Sequence, residues 1–65
     1  MTGEQRHVYF EHTVFGRSVK VVAIDSLTAI EVSIIGPATA AKADLERVAV
    51  RKLIARIARE NSLDS

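Results

Sequence analysis

The residues whose types and spacing come nearest to a chemical site lie in the segment IIGPATAAKA, residues 34–43. A glycine-containing turn between a strand and a helix presents free backbone N–H groups that bind phosphate. A phosphate loop uses several glycines, however, and here Gly36 stands alone while Pro37 removes one N–H donor. Thr39 has a hydroxyl of the kind that caps a helix, and Lys42 follows one turn later. The segment therefore favours a strand end, a Pro-fixed turn and a Thr cap over a ligand site.

The other residues of catalytic type are scattered along the chain. His7 and His12 are five positions apart, so in a strand they point to opposite faces and cannot share a metal ion. The chain has no Cys, which excludes disulfides and thiolate zinc sites. Asp25 and Glu31 flank one turn, where carboxylates cap the backbone or stay solvated more often than they act as an acid–base pair. We therefore expect a non-enzymatic protein with no metal, cofactor or small-molecule ligand.

Basic side chains in the C-terminal third form a pattern that suggests a macromolecular ligand. They are Arg51, Lys52, Arg56 and Arg59. Each could contact a phosphate group and add salt-dependent affinity. No aromatic residue, Asn or Gln lies among them to stack on or read bases, and the net charge of the whole chain is only +1. A solvated helix face with an ion pair between Arg56 and Glu60 is the favoured interpretation, and weak nucleic-acid binding is the alternative.

The elements that position these residues follow from the hydrophobic period. In the first half, HVYFEHTVF, SVKVVAID and IEVSII predict strands at about 7–14, 18–24 and 30–35. Gly16 and the segment DSLTA predict the two tight turns between them. Strands joined by short turns are antiparallel neighbours, so we predict a meander with the second strand in the centre.

The second half changes to a helical period. Residues 41–60 contain no Gly or Pro and are rich in helix-forming residues. The stripe expected to pack on the sheet is Val50, Leu53, Ile54 and Ile57. Leu45 and Val48 fall outside this stripe, on a second and smaller apolar patch. The predicted fold class is α+β, in the order β-β-β-α.

Length and composition predict one small domain. We place it at residues 7–60, between a flexible N-terminus at 1–6 and a frayed tail at 61–65. Its 48% apolar and 26% charged residues are typical of a globular chain and not of a disordered one. There is no apolar run long enough for a signal peptide or a membrane span, and the absence of Cys fits a cytoplasmic protein.

A single helix covers only one face of a three-stranded sheet, so the other face is expected to stay open. The apolar residues predicted on that face are Tyr9, Val22, Ile24 and Ile35. A 65-residue chain without disulfides gains stability from a partner, and apolar patches of this kind mark contact sites. We therefore expect the chain to bind another protein or a second copy of itself, through this face or through a strand edge.

The middle of the chain also resembles a known family. The residues that carry the resemblance are VKVVAID, then EVSIIGPATAA, then a helix containing RKL at residues 51–53. They resemble a family of small bacterial domains to which no activity is assigned. The resemblance implies a small domain of unknown function, and it adds no catalytic or binding residue.

Overall fold

In residues 5–63 the chain forms three antiparallel strands followed by one helix, as the sequence predicts. The computed structural model describes residues 5–63, except for the side chain of Leu63. In chain order the elements are β1 (Val8–Phe15), β2 (Ser18–Asp25), β3 (Glu31–Pro37) and α1 (Lys42–Leu63). β2 lies in the centre of the sheet with β1 and β3 at its edges, so the predicted meander of the α+β class is confirmed.

The described fold reaches beyond the predicted domain at both ends. Arg6 lies before β1, and its Nε is 2.8 Å from Oδ1 of Asp25. At the other end, α1 continues to Leu63, past its predicted end. Residues 1–4 of the predicted flexible N-terminus and residues 64–65 of the predicted frayed tail lie outside the described residues.

A glycine makes the tight turn between β1 and β2 possible. The φ of Gly16 is 57°, in the left-handed region that side chains with a Cβ adopt only at a cost. This turn places Phe15 directly opposite Ser18 and so sets the register of the whole pair. Since a one-residue slip would turn every side chain of β1 to the other face, the turn decides which residues of β1 face the core.

The connection between β2 and β3 is held by the side chain of Asp25. Its Oδ2 accepts hydrogen bonds from the backbone N–H of Thr28 at 3.0 Å and from the Thr28 hydroxyl at 2.7 Å. The N–H of Ala29 donates to the Asp25 carbonyl oxygen at 2.8 Å, and Ala29 has a φ of 63°. Asp in such turns replaces backbone acceptors with its own carboxylate. The predicted DSLTA turn therefore forms through its first residue.

One face of the sheet and one side of α1 form the core. Val21 and Ala23 of the central strand are fully buried, because strands lie on both sides of them and α1 lies above. The buried apolar residues are Val19, Val21, Ala23, Val32, Leu45, Ala49 and Leu53. We call the side of the sheet that carries these β2 and β3 residues the inner face, and the opposite side the outer face.

The helix packs through a stripe that shares only Leu53 and Ile57 with the predicted one. Leu45, Ala49 and Leu53 are spaced four residues apart and are buried against β2 and β3. The prediction was wrong for Ile54, which is 62% exposed, and Val50 is only half-buried. Residue hydropathy favoured the larger side chains, whereas the small Ala49 lets the helix lie close to the sheet. The side of α1 that packs on the sheet therefore depends on how closely the helix can approach the sheet, and a sequence pattern does not give that distance.

The predicted turn at Gly36 and Pro37 is also wrong, because both residues belong to β3. Gly36 pairs with Val19, and a Cβ on Gly36 would lie 2.6 Å from Cδ2 of Leu45. The glycine is therefore required by the close approach of α1 and not by a turn. Pro37 ends an edge strand, where proline is tolerated because no further strand needs its missing N–H.

The helix begins later than predicted and without the Thr cap. Its first residue is Lys42, and the carbonyl oxygen of Ala41 accepts from the N–H of Leu45 at 3.2 Å. Within residues 5–63 the hydroxyl of Thr39 makes no hydrogen bond, so the cap assigned to it does not form. The turn is instead closed by the N–H of Ala40, which donates to the Pro37 carbonyl at 3.0 Å.

Candidate interaction surface

Four apolar side chains lie next to one another on the outer face. Tyr9 of β1 is directly opposite Ile24 of β2. Val22 is two residues from Ile24 on the same strand and therefore shares its face. Ile35 of β3 pairs with Lys20, which places it diagonally next to Val22. The register therefore brings the four predicted residues into one diagonal band, which we call the outer patch.

The outer patch is open to solvent because α1 packs on the other face. Tyr9 is 58% exposed and Ile35 is 66% exposed, while Val22 and Ile24 are half-buried by their neighbours in the sheet. Phe15 has the same strand parity as Tyr9 and is also exposed, at the end of β1. The sequence interpretation left Phe15 out of the patch, although its position in the alternation of β1 was the signal that could have included it.

Charged residues of both signs surround the outer patch. Those on the outer face are Glu11, Lys20 and Glu31, with the hydroxyls of Thr13 and Ser33 between them. Mixed charges at the rim of an apolar centre are the usual anatomy of a protein contact surface. A surface for a polyanion would instead carry one sign of charge. The outer face therefore has an apolar centre with a rim of mixed charge and no single-sign field.

The two edge strands differ in how they are protected. Nζ of Lys52 donates a hydrogen bond to the carbonyl oxygen of Ser33 at 2.7 Å, which occupies an edge acceptor of β3. Pro37 at the end of the same strand removes an edge donor. β1 contains no Pro, Gly or Lys, and α1 packs chiefly on β2 and β3. The edge of β1 is therefore the more open one.

The basic residues predicted as an alternative site do not all come together. Lys52, Arg56 and Arg59 line a shallow groove of about 210 Å³ between α1 and β3, with Val32 and Ala55 as its apolar lining. Arg51 is exposed on α1 but does not line the groove. Three of the four predicted residues therefore share one concave surface, and the fourth lies outside it.

Two of the three basic side chains in this groove already make a hydrogen bond or an ion pair. Lys52 binds the Ser33 carbonyl, as described above. Nε of Arg56 donates to Oε2 of Glu60 at 3.0 Å, which is the ion pair that the i,i+4 spacing predicts. Within the part of the chain that the structure describes, Arg59 has no ion pair. As far as the described residues go, an anion in the groove would meet the unpaired guanidinium of Arg59 and would compete with existing contacts for Lys52 and Arg56.

The two histidines are separated, as their spacing predicts. His7 lies on the outer side with its ring centroid 6.3 Å from that of Tyr9. His12 is half-buried on the inner face, and its Nε2 lies 3.1 Å from Oε2 of Glu46 on α1. Residues 5–63 contain no group of three or more potential metal ligands. The histidine contacts therefore connect elements of the fold.

The buried carboxylate also has structural partners. The pKa of Asp25 is lowered chiefly by the hydrogen bond from the Thr28 hydroxyl. Burial of the carboxylate acts in the opposite direction, while the Thr28 N–H and the charge of Arg6 lower the pKa further. Glu31 pairs with Ile24 and so lies on the outer face, whereas Asp25 lies on the inner side. The two carboxylates that flank the turn therefore do not form an acid–base pair.

Comparison with known proteins identifies a family and no activity. A family model described as "Domain of unknown function (DUF6898)" matches residues 5–60. No curated protein and no solved structure shows a significant similarity to the chain. Of the helices in residues 5–63, none has the length and apolar character that a membrane crossing requires.

Proposed function

The chain belongs to the DUF6898 family of domains of unknown function, and we propose that it is a non-enzymatic protein-interaction module that associates with a second copy of itself through the sheet. The observation that carries this proposal is the outer patch of Tyr9, Val22, Ile24 and Ile35, which α1 leaves uncovered. Contiguous apolar patches are unusual on monomers and mark contact sites. A chain with no Cys suits a reducing compartment, so we place this role in the cytoplasm.

A non-enzymatic role is supported by how the chain uses its chemically capable residues. Asp25 holds the β2–β3 turn, and His12 contacts Glu46 across the inner face. Catalytic groups, by contrast, converge on a cavity that encloses a substrate. The groove beside Arg59 is shallow and carries no carboxylate, histidine or hydroxyl in its lining. These features favour a protein-binding role over a catalytic one.

Self-association is tested by sedimentation or light scattering over a concentration series, with a matched pair of variants. Ile35→Lys places a charge at the most exposed residue of the outer patch. Ile54→Lys is the control, because Ile54 on α1 is exposed to nearly the same extent, 62% against 66%. An unpaired charge in an interface costs more than about 1.4 kcal/mol. If the outer patch itself is the contact, Ile35→Lys therefore weakens the dimer by at least about tenfold, while Ile54→Lys leaves it unchanged. A wild-type chain that stays monomeric at every concentration contradicts the proposal.

A second candidate function, weak nucleic-acid binding, is favoured by the shared groove of Lys52, Arg56 and Arg59. Labelled duplex and single strands titrated at two salt concentrations test it. If Arg59 contacts a phosphate, Arg59→Ala weakens binding and lowers the salt slope by about 0.9. Arg47→Ala is the control, since Arg47 is exposed on α1, outside the groove, and pairs with Asp44. Absence of binding at low salt, or equal binding by the two variants, excludes this function.

A further inference from the structure

Among residues 5–63, no partner is found for a row of backbone N–H and C=O groups along the outer edge of β1. At the start of the β1–β2 ladder the N–H of Ser26 donates to the carbonyl oxygen of His7 at 2.9 Å. In an antiparallel pair, residues that bond to the neighbour alternate with residues that point away from it. Odd-numbered residues of β1 therefore bond to β2, and Phe10, His12 and Val14 direct their N–H and C=O groups to the open edge.

Side chains along this edge are also left uncovered on the inner face. Val14 is 68% exposed although it shares the inner face with the buried Val19, its partner on β2. The reason is the off-centre position of α1, which packs on β2 and β3. β3, by contrast, is protected by Lys52 and Pro37. The open edge and the uncovered inner-face strip therefore occur on the same strand.

We propose that the partner is a second copy of this chain, paired antiparallel along β1 and centred on His12, so that the two three-stranded sheets join into one. This inference rests on the proposed self-association through the sheet and places the contact at the β1 edge. Ile35 on β3 lies outside that contact, so Ile35→Lys should leave this dimer intact. A two-fold axis at His12 places each residue opposite the one that lies equally far on the other side of His12. Residues whose backbone groups point away from β2 then pair with the same kind of residue in the partner. This pairing forms roughly six hydrogen bonds between the two edge strands.

The register centred on His12 is self-complementary. On the outer face it places Tyr9 opposite the partner's Phe15, and aromatic cross-strand pairs stabilise sheets. On the inner face it places Phe10 opposite the partner's Val14, which covers the exposed valine. Glu11 lies opposite the partner's Thr13, without a like charge. Each His12 meets the partner's His12 while its own Glu46 remains within 3.1 Å.

The neighbouring register is disfavoured by charge. Centring the pair on Glu11 keeps the side-chain faces matched but places Glu11 directly opposite the partner's Glu11. Like charges directly opposite each other destabilise a strand pair. It also places Tyr9 opposite the partner's Thr13 and so loses the aromatic pair. Of the registers centred on Glu11 and on His12, complementarity of β1 with itself therefore favours the one centred on His12.

The joined sheet brings the two inner faces to one side and the two outer faces to the other. Because the two-fold axis is perpendicular to the sheet, both copies of α1 lie on the same face, on either side of a strip that contains Phe10 and Val14 from each chain. On the outer face, the partner's Phe15 lies next to Tyr9 and extends the outer patch across the junction. The dimer therefore packs Phe10 and Val14 of one chain beside those of the other, between the two helices.

Single-cysteine cross-linking tests the register directly, because the chain has no cysteine of its own. Only the residue at the two-fold axis meets its own copy at a Cα separation that permits a disulfide. Under mild oxidation we expect His12→Cys to form covalent dimer at least about tenfold faster than Glu11→Cys. The reverse order, or equal rates, overturns the proposed register.

A second pair of variants tests the edge without cysteine. Val14→Pro removes an outward N–H that β2 does not use, and Val14→Thr keeps that N–H and a β-branched side chain. Far-ultraviolet circular dichroism and the unfolding midpoint at low concentration report whether each monomer folds. We expect Val14→Pro to abolish the dimer, with at least about a tenfold loss of affinity, and Val14→Thr to retain it.

The outcomes separate this inference from the proposed function. A dimer that survives Val14→Pro but is lost in Ile35→Lys overturns pairing through β1 and leaves self-association through the outer patch intact. A wild-type chain that is monomeric at every concentration overturns both. Loss of the dimer in Val14→Pro with retention in Val14→Thr, together with cross-linking at position 12, supports pairing along β1.

Discussion

Asp25 shows how one side chain determines the course of the backbone around it. Its carboxylate lies fully enclosed at the end of β2, and it receives two hydrogen bonds from Thr28 and the charge of Arg6. An enclosed carboxylate is tolerated only when such partners are present. The turn to β3 therefore depends on the ionised form of this residue.

The lowered pKa of Asp25 predicts a pH dependence of stability. In the unfolded chain the group titrates near its ordinary value of 3.8, and in the fold it titrates below that value. Its contribution is therefore complete above pH 3.8 and is lost as the pH falls through the folded pKa. Urea unfolding between pH 2 and pH 6 measures this loss.

The matched variants for this prediction are Asp25→Asn and Asp44→Asn. The first removes the titrating group and should flatten the acid part of the stability curve. The second removes an exposed carboxylate of α1 and should leave the curve close to that of the wild type. An Asp25→Asn protein with the full acid dependence of the wild type would contradict the assignment.

Gly36 carries a second prediction at the scale of the residue. An added Cβ meets Leu45 at a distance that real contacts do not reach, so Gly36→Ala should destabilise the fold by about 1–3 kcal/mol. Because the obstacle is the Leu45 side chain, the cost should shrink in a Leu45→Ala background. Urea unfolding of the two single variants and the double variant measures this coupling. Additive effects would show that the glycine is needed for another reason.

The strands and the helix differ in how well the sequence predicts the side that packs in the core. Strands alternate with period two, and the period of β1, β2 and β3 together with Gly16 was enough to predict the meander and the outer patch. The helix stripe was only partly predictable from hydropathy, because Ala49 contributes little hydrophobicity and yet is fully buried in the core. Gly36 was taken for a turn residue for the same reason, since a glycine beneath a helix looks like a glycine in a turn.

The observed stripe predicts unequal effects of truncating two adjacent residues. Leu53 is 1% exposed in the core and Ile54 is exposed, so Leu53→Ala should cost about 2–5 kcal/mol and Ile54→Ala less than about 1 kcal/mol. Chemical denaturation of both variants provides the measurement, each serving as the control for the other. Similar costs would mean that α1 packs on the sheet through the stripe that hydropathy predicts, with the helix rotated about its axis.

At the scale of the whole molecule, the chain buries few large side chains. Its core consists mainly of Val and Ala with two leucines, under a single helix. Domains of this size bury only about 60% of their unfolded surface and are marginally stable. The uncovered strip on β1 is the apolar surface that a second copy paired along this strand would add to the core. Stability and association are therefore expected to be linked in this protein.

That linkage predicts a concentration-dependent unfolding midpoint. For a dimer that unfolds to separate chains, each tenfold rise in protein concentration adds about 1.4 kcal/mol to the apparent stability of the dimer, because folding then includes an association step. Wild-type protein should therefore show a urea midpoint that rises with concentration, and Val14→Thr should behave in the same way. Val14→Pro should give one midpoint at all concentrations, since it blocks the edge of β1 without touching the core. A wild-type midpoint that does not move with concentration would mean that the core of a single chain is sufficient, and that the open edge of β1 does not contribute to its stability.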